Sequence, residues 1–320
     1  MGLFVAACLM LATPGEVPQG CSSSFVEAGR ARIEVFTYKP ETFDGGPMIV
    51  VCHGMLRNAD EYRDHARSLA DRLGALVVAP LFPTDDFPYE RYQAGGLLDE
   101  GRLAPRDAWT WQLLLELINE MRRREDRPDM PYYLFGHSGG AQFLVRMAGF
   151  ITSDAQRIVV SNPGALLFPS RELPYPYGFG GLPEEVSDDA ALSRFLAQPL
   201  TLYIAEEDCE RDEFLDVTDS AELQGANRRQ RSANAFRAAR HLALENGWKF
   251  NWQLVIVPGV AHDHQKMLDH DLCERALHVA ATDTRHSATR RPVHFSLAAK
   301  TRRNPLRKAH LEPVGEPAKR

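Results

Sequence analysis

Tyr132-Tyr133-Leu134-Phe135-Gly136-His137-Ser138-Gly139-Gly140 runs from an apolar, β-type segment into a glycine-flanked serine and on into a helical pattern. That order of parts is the signature of a nucleophile elbow, a strained strand-to-helix turn that projects a serine hydroxyl out of a sheet. Glycines beside the serine let the backbone make the turn without side-chain clashes. Ser138 is therefore the candidate nucleophile. The plainer alternative is a glycine-rich connection whose serine only caps a helix, and the rest of the chain has to decide between the two.

Working outward, apolar runs rich in Val and Ile occur at 33–38, Met48–Cys52, 75–79, 132–135, 158–161, Leu200–Ala205 and 252–257. Several lack polar alternation, which predicts strands covered on both faces of a mostly parallel sheet. Helical patterns lie between them, at about 58–73, 106–124, from the elbow through Met147, 226–245 and 265–281. Asn58 and Glu61 read as a capping pair and Gly74 as a stop. Strand and helix repeated in this way predict an α/β fold with a doubly wound sheet and helices on both faces. Two stretches break the alternation, 82–103 and 163–183, both long and rich in Tyr, Phe and Pro. Ligands bind beyond the carboxyl ends of strands in open parallel sheets, so these loops are expected to wall a substrate site.

A serine hydroxyl needs a base to take its proton and a carboxylate to orient that base. Downstream of Ser138 the run Leu200–Ala205 ends in Glu206-Glu207-Asp208, and the run 252–257 ends in Pro258-Gly259-Val260-Ala261-His262-Asp263. Serine, then acid, then histidine is the chain order of the α/β-hydrolases. Asp208 is the expected acid, with Glu207 in reserve, because the chain needs a short turn before a carboxylate reaches the histidine loop. His262 is the expected base, ahead of His264 and His270. Read as metal ligands, His262, Asp263 and His264 lack a second ligand set of recognised spacing. The oxyanion of acyl transfer needs two backbone N–H donors. One is expected from Gly139, the other from Met55 in the run His53-Gly54-Met55 that follows the Met48–Cys52 strand. His53 and His137, beside these positions, are expected to touch substrate.

Composition suits a globular enzyme. The chain has 320 residues, 44% hydrophobic and 25% charged, with a net charge of −6. Segment 285–320 carries ten Lys or Arg against two acids, so it is about +8 and the body about −14. The basic segment lacks apolar periodicity and reads as a disordered extension, and no nucleic-acid partner is expected. Residues 3–12 resemble the apolar core of a secretory signal, although no Lys or Arg precedes them. Export to the periplasm or medium is one expectation and cytoplasmic residence the other. No stretch reads as a secure membrane span. Val5-Ala6-Ala7-Cys8 looks like a lipoprotein cleavage box set very close to Met1, and Cys21 follows a poorer match; a buried strand or frayed end is the reading favoured over lipidation. The five cysteines show no paired metal or dithiol spacing. A Cys209–Cys273 disulfide is a minority expectation, tied to export. The expected division is an N-terminal segment 1–24, a catalytic domain 25–284 and a tail 285–320.

Together, P-M-I-V-V-C-H-G-M-L-R-N-A-D-E-Y, L-V-V-A-P-L-F-P, Y-L-F-G-H-S-G-G-A-Q-F, L-Y-I-A-E-E-D and V-P-G-V-A-H-D resemble the α/β-hydrolase superfamily. More narrowly, they are similar to its poly(3-hydroxybutyrate) depolymerase-like and feruloyl-esterase-like branch. The matches span about 32–281. The resemblance implies an α/β-hydrolase fold, Ser138, Asp208 and His262 as a triad, Met55 and Gly139 as oxyanion donors, no cofactor or metal, and a small-molecule or polymeric ester as substrate. A serine peptidase or amidase on the same fold is the alternative, and a non-catalytic binding protein a third reading.

Overall fold

The computed structural model describes residues 15–278, all within one unit spanning Met1–Ala281. The apolar run 3–12, the box at Cys8 and the basic segment 285–320 lie outside the described residues. Among the described residues there are ten strands in chain order: β1 Gly20–Ala28, β2 Ala31–Lys39, β3 Met48–Cys52, β4 Leu76–Pro80, β5 Leu98–Asp99, β6 Arg102–Leu103, β7 Tyr132–His137, β8 Arg157–Ser161, β9 Leu200–Ala205 and β10 Gln253–Val257. Eight form one sheet in the order β1-β2-β4-β3-β7-β8-β9-β10, while β5 and β6 make a separate hairpin. β1 and β2 pair antiparallel, as do β2 and β4; every pairing from β4 to β10 is parallel. This is the mostly parallel, doubly wound sheet that the alternation of strands and helices predicts.

The period-two alternation of a strand explains the two apolar layers. Met48, Val50 and Cys52 of β3 face a layer with Trp109, Trp111 and Phe143, while Ile49 and Val51 face the other, with Leu69, Met267 and Leu268. All five β3 residues are buried, so the strand has no polar side to show. Each fully buried Val or Ile of this kind contributes about 1.5–3 kcal/mol.

Several elements differ from the sequence expectation. β1 lies where the sequence suggested an N-terminal segment: its Gly-Cys-Ser-Ser-Ser start is polar, and it pairs along its whole length with β2 at the sheet edge. The 58–73 pattern is two helices, Ala59–His65 and Arg67–Leu73, broken at Ala66. Asn58 makes no side-chain cap there; its Nδ2 donates instead to Glu61 Oε2 at 2.5 Å. Gly74, at φ 57°, does end the second helix. Helix Thr110–Arg124 starts after a short 3-10 turn, and the last pattern divides into His264–Asp269 and Leu272–Leu277. Cys209 and Cys273 are both free thiols, one exposed and one buried, so the disulfide expectation does not hold. No helix among the described residues is long and apolar enough to cross a membrane.

Candidate active site

β7 leads straight into Ser138, which adopts φ 54°, ψ −113°, a conformation that strains any residue with a Cβ. The surroundings hold it there. Ser138 N–H donates to Ser161 O of β8 at 2.9 Å, and Ser138 C=O accepts from Gln142 N–H at 3.1 Å. The glycines at 136 and 140 are steric necessities. A Cβ on Gly136 would lie 2.4 Å from the Gly140 carbonyl oxygen, and one on Gly140 would lie 2.1 Å from the Cys52 carbonyl oxygen of β3. Helix Gly139–Phe150 begins at the serine, so its unpaired amides and positive dipole end are available where negative charge would develop.

The acid and base arrive on neighbouring parallel strands. Beyond β9 and β10 the two loops are tied together: Glu206 N–H donates to Val257 O at 2.8 Å and Glu207 N–H to Val260 O at 2.9 Å. Glu206 and Glu207 stay exposed, whereas Asp208 turns inward and is 2% exposed. Its Oδ2 lies 2.7 Å from His262 Nδ1. That contact puts the proton on Nδ1 and leaves Nε2 to accept one. The other two histidines have different partners, although His264 also lines the cavity. His264 Nε2 is 2.8 Å from His65 Nδ1 and its ring stacks on Tyr62 at 4.1 Å, while His270 Nδ1 accepts from Leu272 N–H. Among the described residues no three His, Cys, Asp or Glu side chains come together in a way that could hold a metal ion.

Ser138 and His262 open on one cavity of about 170 Å³, walled also by Gly54, Met55, Tyr62, His137 and Phe214. A Cβ built on Gly139 would lie 3.3 Å from the Met55 amide nitrogen, so the two expected oxyanion donors sit side by side next to the serine. Met55, Leu56 and Phe214 expose apolar surface at the mouth. Neither of the two long loops supplies a wall of this cavity. Their aromatics pack inward instead: Phe82, Phe87, Tyr92 and Phe179 are buried.

The two remaining histidines part company. His137 reaches the cavity, its ring centroid 4.6 Å from that of His262. Asn162 fixes it: Asn162 Oδ1 accepts from Ala205 N–H at 2.8 Å, which turns Nδ2 toward His137 Nε2 at 3.5 Å. The Tyr62 hydroxyl lies 3.2 Å from the other ring nitrogen. His53 does not reach the cavity. It is wholly buried, its Nδ1 donating to Gly54 O at 2.9 Å and its Nε2 accepting from Phe82 N–H at 3.0 Å, so it pins the Gly54 turn rather than meeting substrate.

No family profile matches the chain, and no curated protein sequence matches it. Among solved structures, LpqC, a poly(3-hydroxybutyrate) depolymerase from Bordetella parapertussis, is similar at 31% identity and a TM-score of 0.73, covering 78% of this chain and 88% of its own. The chain belongs to the α/β-hydrolase superfamily. Poly(aspartic acid) hydrolase-1 from Sphingomonas sp. KT-1 is also similar, at 29% identity and a TM-score of 0.74, with 78% of this chain and 96% of that one covered. The mostly parallel eight-stranded sheet is thus this superfamily's architecture carried by this sequence.

Several site residues escape sequence reading. Tyr62 sits on an apolar helical stripe and reads as core, which it also is. Asn162 follows β8 without any motif. Arg228, buried beside Asp208, lies at the start of the 226–245 helical pattern in the run Asn227-Arg228-Arg229-Gln230-Arg231, where nothing in the sequence sets it apart from Arg229.

Burial also sets how this α/β-hydrolase responds to acid. It pushes His53 down to about 3. His264 is pushed down to about 4 by burial and then by His65. Burial, then His262, His264 and Arg228, hold His137 well below its ordinary value. All three histidines bind protons more readily unfolded, near about 6.5. Their contribution to stability is complete above that value and is lost as pH falls through the folded values. We expect the melting temperature to fall between about pH 6.5 and 4.5, before most carboxylates titrate, and His264→Asn to flatten part of the fall. A melting temperature constant across that window would contradict the assignment.

Proposed function

We propose that this carboxylic ester hydrolase works as a cofactor-independent serine enzyme. Ser138 Oγ attacks the ester carbonyl while His262 Nε2 takes its proton, and Asp208 holds the imidazole and balances the imidazolium. The Met55 and Gly139 amides receive the oxyanion, supported by the helix that begins at Gly139. His262 then returns the proton to the leaving alcohol. Water, deprotonated by the same histidine, clears the acyl-enzyme. His137, held neutral, adds no second cation beside the imidazolium as it forms. The observation that carries this reading is the 2.7 Å Asp208–His262 contact at the cavity that also holds the strained Ser138.

The small cavity and its apolar mouth support a short, uncharged acyl group. Poly(aspartic acid), the polymer in the name of one similar protein, is a polyanion and an amide, and it brings forward the amidase alternative. A polyanion would be expected to find basic side chains, and no Lys or Arg lines the cavity among the described residues. Arg57, close in sequence to Met55, is committed to the Phe82 and Phe87 carbonyls, each at 3.0 Å, and lies over the Tyr92 ring. The ester reading is therefore preferred.

A panel of acyl esters of rising chain length, run beside matched aminoacyl amides and poly(aspartic acid), tests this. Short neutral esters are expected to give the highest kcat/KM, with about ten-fold lost for each methylene the cavity cannot seat. Faster turnover of the amides or of the polyanion would overturn the ester reading and favour the amidase.

A further inference from the structure

Asp208 has a neighbour that a serine triad does not require. Arg228, the first residue of helix Arg228–Asn246, is fully buried, and its Nη1 lies 3.5 Å from Asp208 Oδ1. The same guanidinium grips Asp212 through two 2.7 Å hydrogen bonds, one from each terminal nitrogen. Asp208 Oδ2, the other oxygen, faces His262. The four side chains form one contact chain from His262 through Asp208 and Arg228 to Asp212.

Stability alone does not account for this arginine. Among the described residues its Nε has no hydrogen-bond partner, and a buried charge with an unmet donor costs more than an apolar side chain of similar size. Charge balance supplies a use. Asp208 and Arg228 by themselves sum to zero, which would leave the His262 imidazolium without a net counter-charge. Asp212 restores a net −1, equal and opposite to the charge His262 gains when it takes the serine proton. Hydrogen bonding to Arg228, with burial opposing and the Arg228 and His262 charges assisting, holds the Asp212 carboxyl below the usual carboxylate range, so it is ionised at neutral pH. The other groups around His262 are the neutral His137 at the end of β7, His264 on its own loop, and Asp263, which is itself paired with Lys266.

We propose that Arg228 and Asp212 are positioning residues for the hydrolysis: Arg228 holds the free oxygen of Asp208, and Asp212 cancels the charge of Arg228 so that the His262 imidazolium can form. This inference rests on the triad reading above. The alternative is a tie that only fastens the 209–216 segment to the helix.

The test compares Asp212→Asn, Arg228→Gln and Arg228→Lys in the full chain. It measures kcat and KM on a short soluble ester from about pH 4.5 to about 9, where the acid limb of kcat/KM reports protonation of the base. Asp212→Asn removes an anion, so its acid limb moves to lower pH by about half a unit to one unit; Arg228→Gln removes a cation, and its limb moves as far in the opposite direction. Arg228→Gln also lowers kcat by about 10²-fold as Asp208 loses its support, with KM little changed. Arg228→Lys keeps the charge, leaves the limb in place and recovers part of the rate. Melting temperatures run alongside. If Arg228→Gln does not fold, the lowered limb of Asp212→Asn against the unmoved limb of Arg228→Lys still decides. Acid limbs that stay together, or rate losses that simply track melting temperature, would overturn the proposal. Ester hydrolysis that survives Asp208→Asn would instead remove the triad reading on which it rests.

Discussion

Ser138→Ala is expected to lower kcat/KM on a soluble ester by about 10⁴- to 10⁶-fold, because nucleophile, base and acid act as a unit and the remainder leaves only binding and oxyanion stabilisation. The change should be silent in stability. Alanine has the same Cβ as serine and meets the same strain at φ 54°, and the turn is held by the backbone hydrogen bonds to Ser161 and Gln142, which do not involve the hydroxyl. Steady-state kinetics and a melting curve on the same preparation check both halves. Activity within about ten-fold of the natural enzyme would place the nucleophile elsewhere.

Asp208→Asn carries the second largest effect, a loss of about 10³- to 10⁴-fold in kcat. Its side chain is buried and its only contact with the base is the 2.7 Å one to Nδ1. An amide there can present N–H toward Nδ1, which favours the tautomer with the proton on Nε2, where the base is needed. Glu206→Gln and Glu207→Gln, both on exposed side chains, should leave kcat within about two-fold. A larger loss for Glu207→Gln than for Asp208→Asn, at equal melting temperature, would show that the register of the acid is off by one residue.

What the sequence made legible follows from where signals are strong. β3 and β4 are unbroken apolar runs, and β7 and β9 are broken only by Gly136-His137 at the site end and by Thr201, because parallel strands covered on both faces have little reason to carry polar residues. The Ser138 turn could be read because Gly136 and Gly140 are imposed by contacts of 2.4 and 2.1 Å that no side chain could survive. β1 was hidden because its first half is Gly-Cys-Ser-Ser-Ser, where three consecutive serines leave no apolar alternation to read. The break at Ala66 left no mark, since both halves keep one apolar stripe. Within the site, His53 sits beside the oxyanion turn in sequence, yet its ring turns into the body to meet Phe82 and Tyr92. The long loops looked like substrate walls by their aromatic content, which here serves the core. Arg228 could not be found from sequence at all: burial of one arginine in a basic run depends on where Asp208 and Asp212 arrive, and only the fold brings them there.

The central claim is that Ser138 is made nucleophilic by His262 and Asp208. Treatment of the full chain with a fluorophosphonate, followed by peptide mass mapping, tests it most directly, because the reagent bonds only to a serine whose proton is being taken by a working base. The account predicts one adduct, on Ser138, at a rate matching the loss of esterase activity, absent in Ser138→Ala and strongly slowed in Asp208→Asn. An adduct on a different residue, or full ester hydrolysis by enzyme that takes up no reagent, would contradict it.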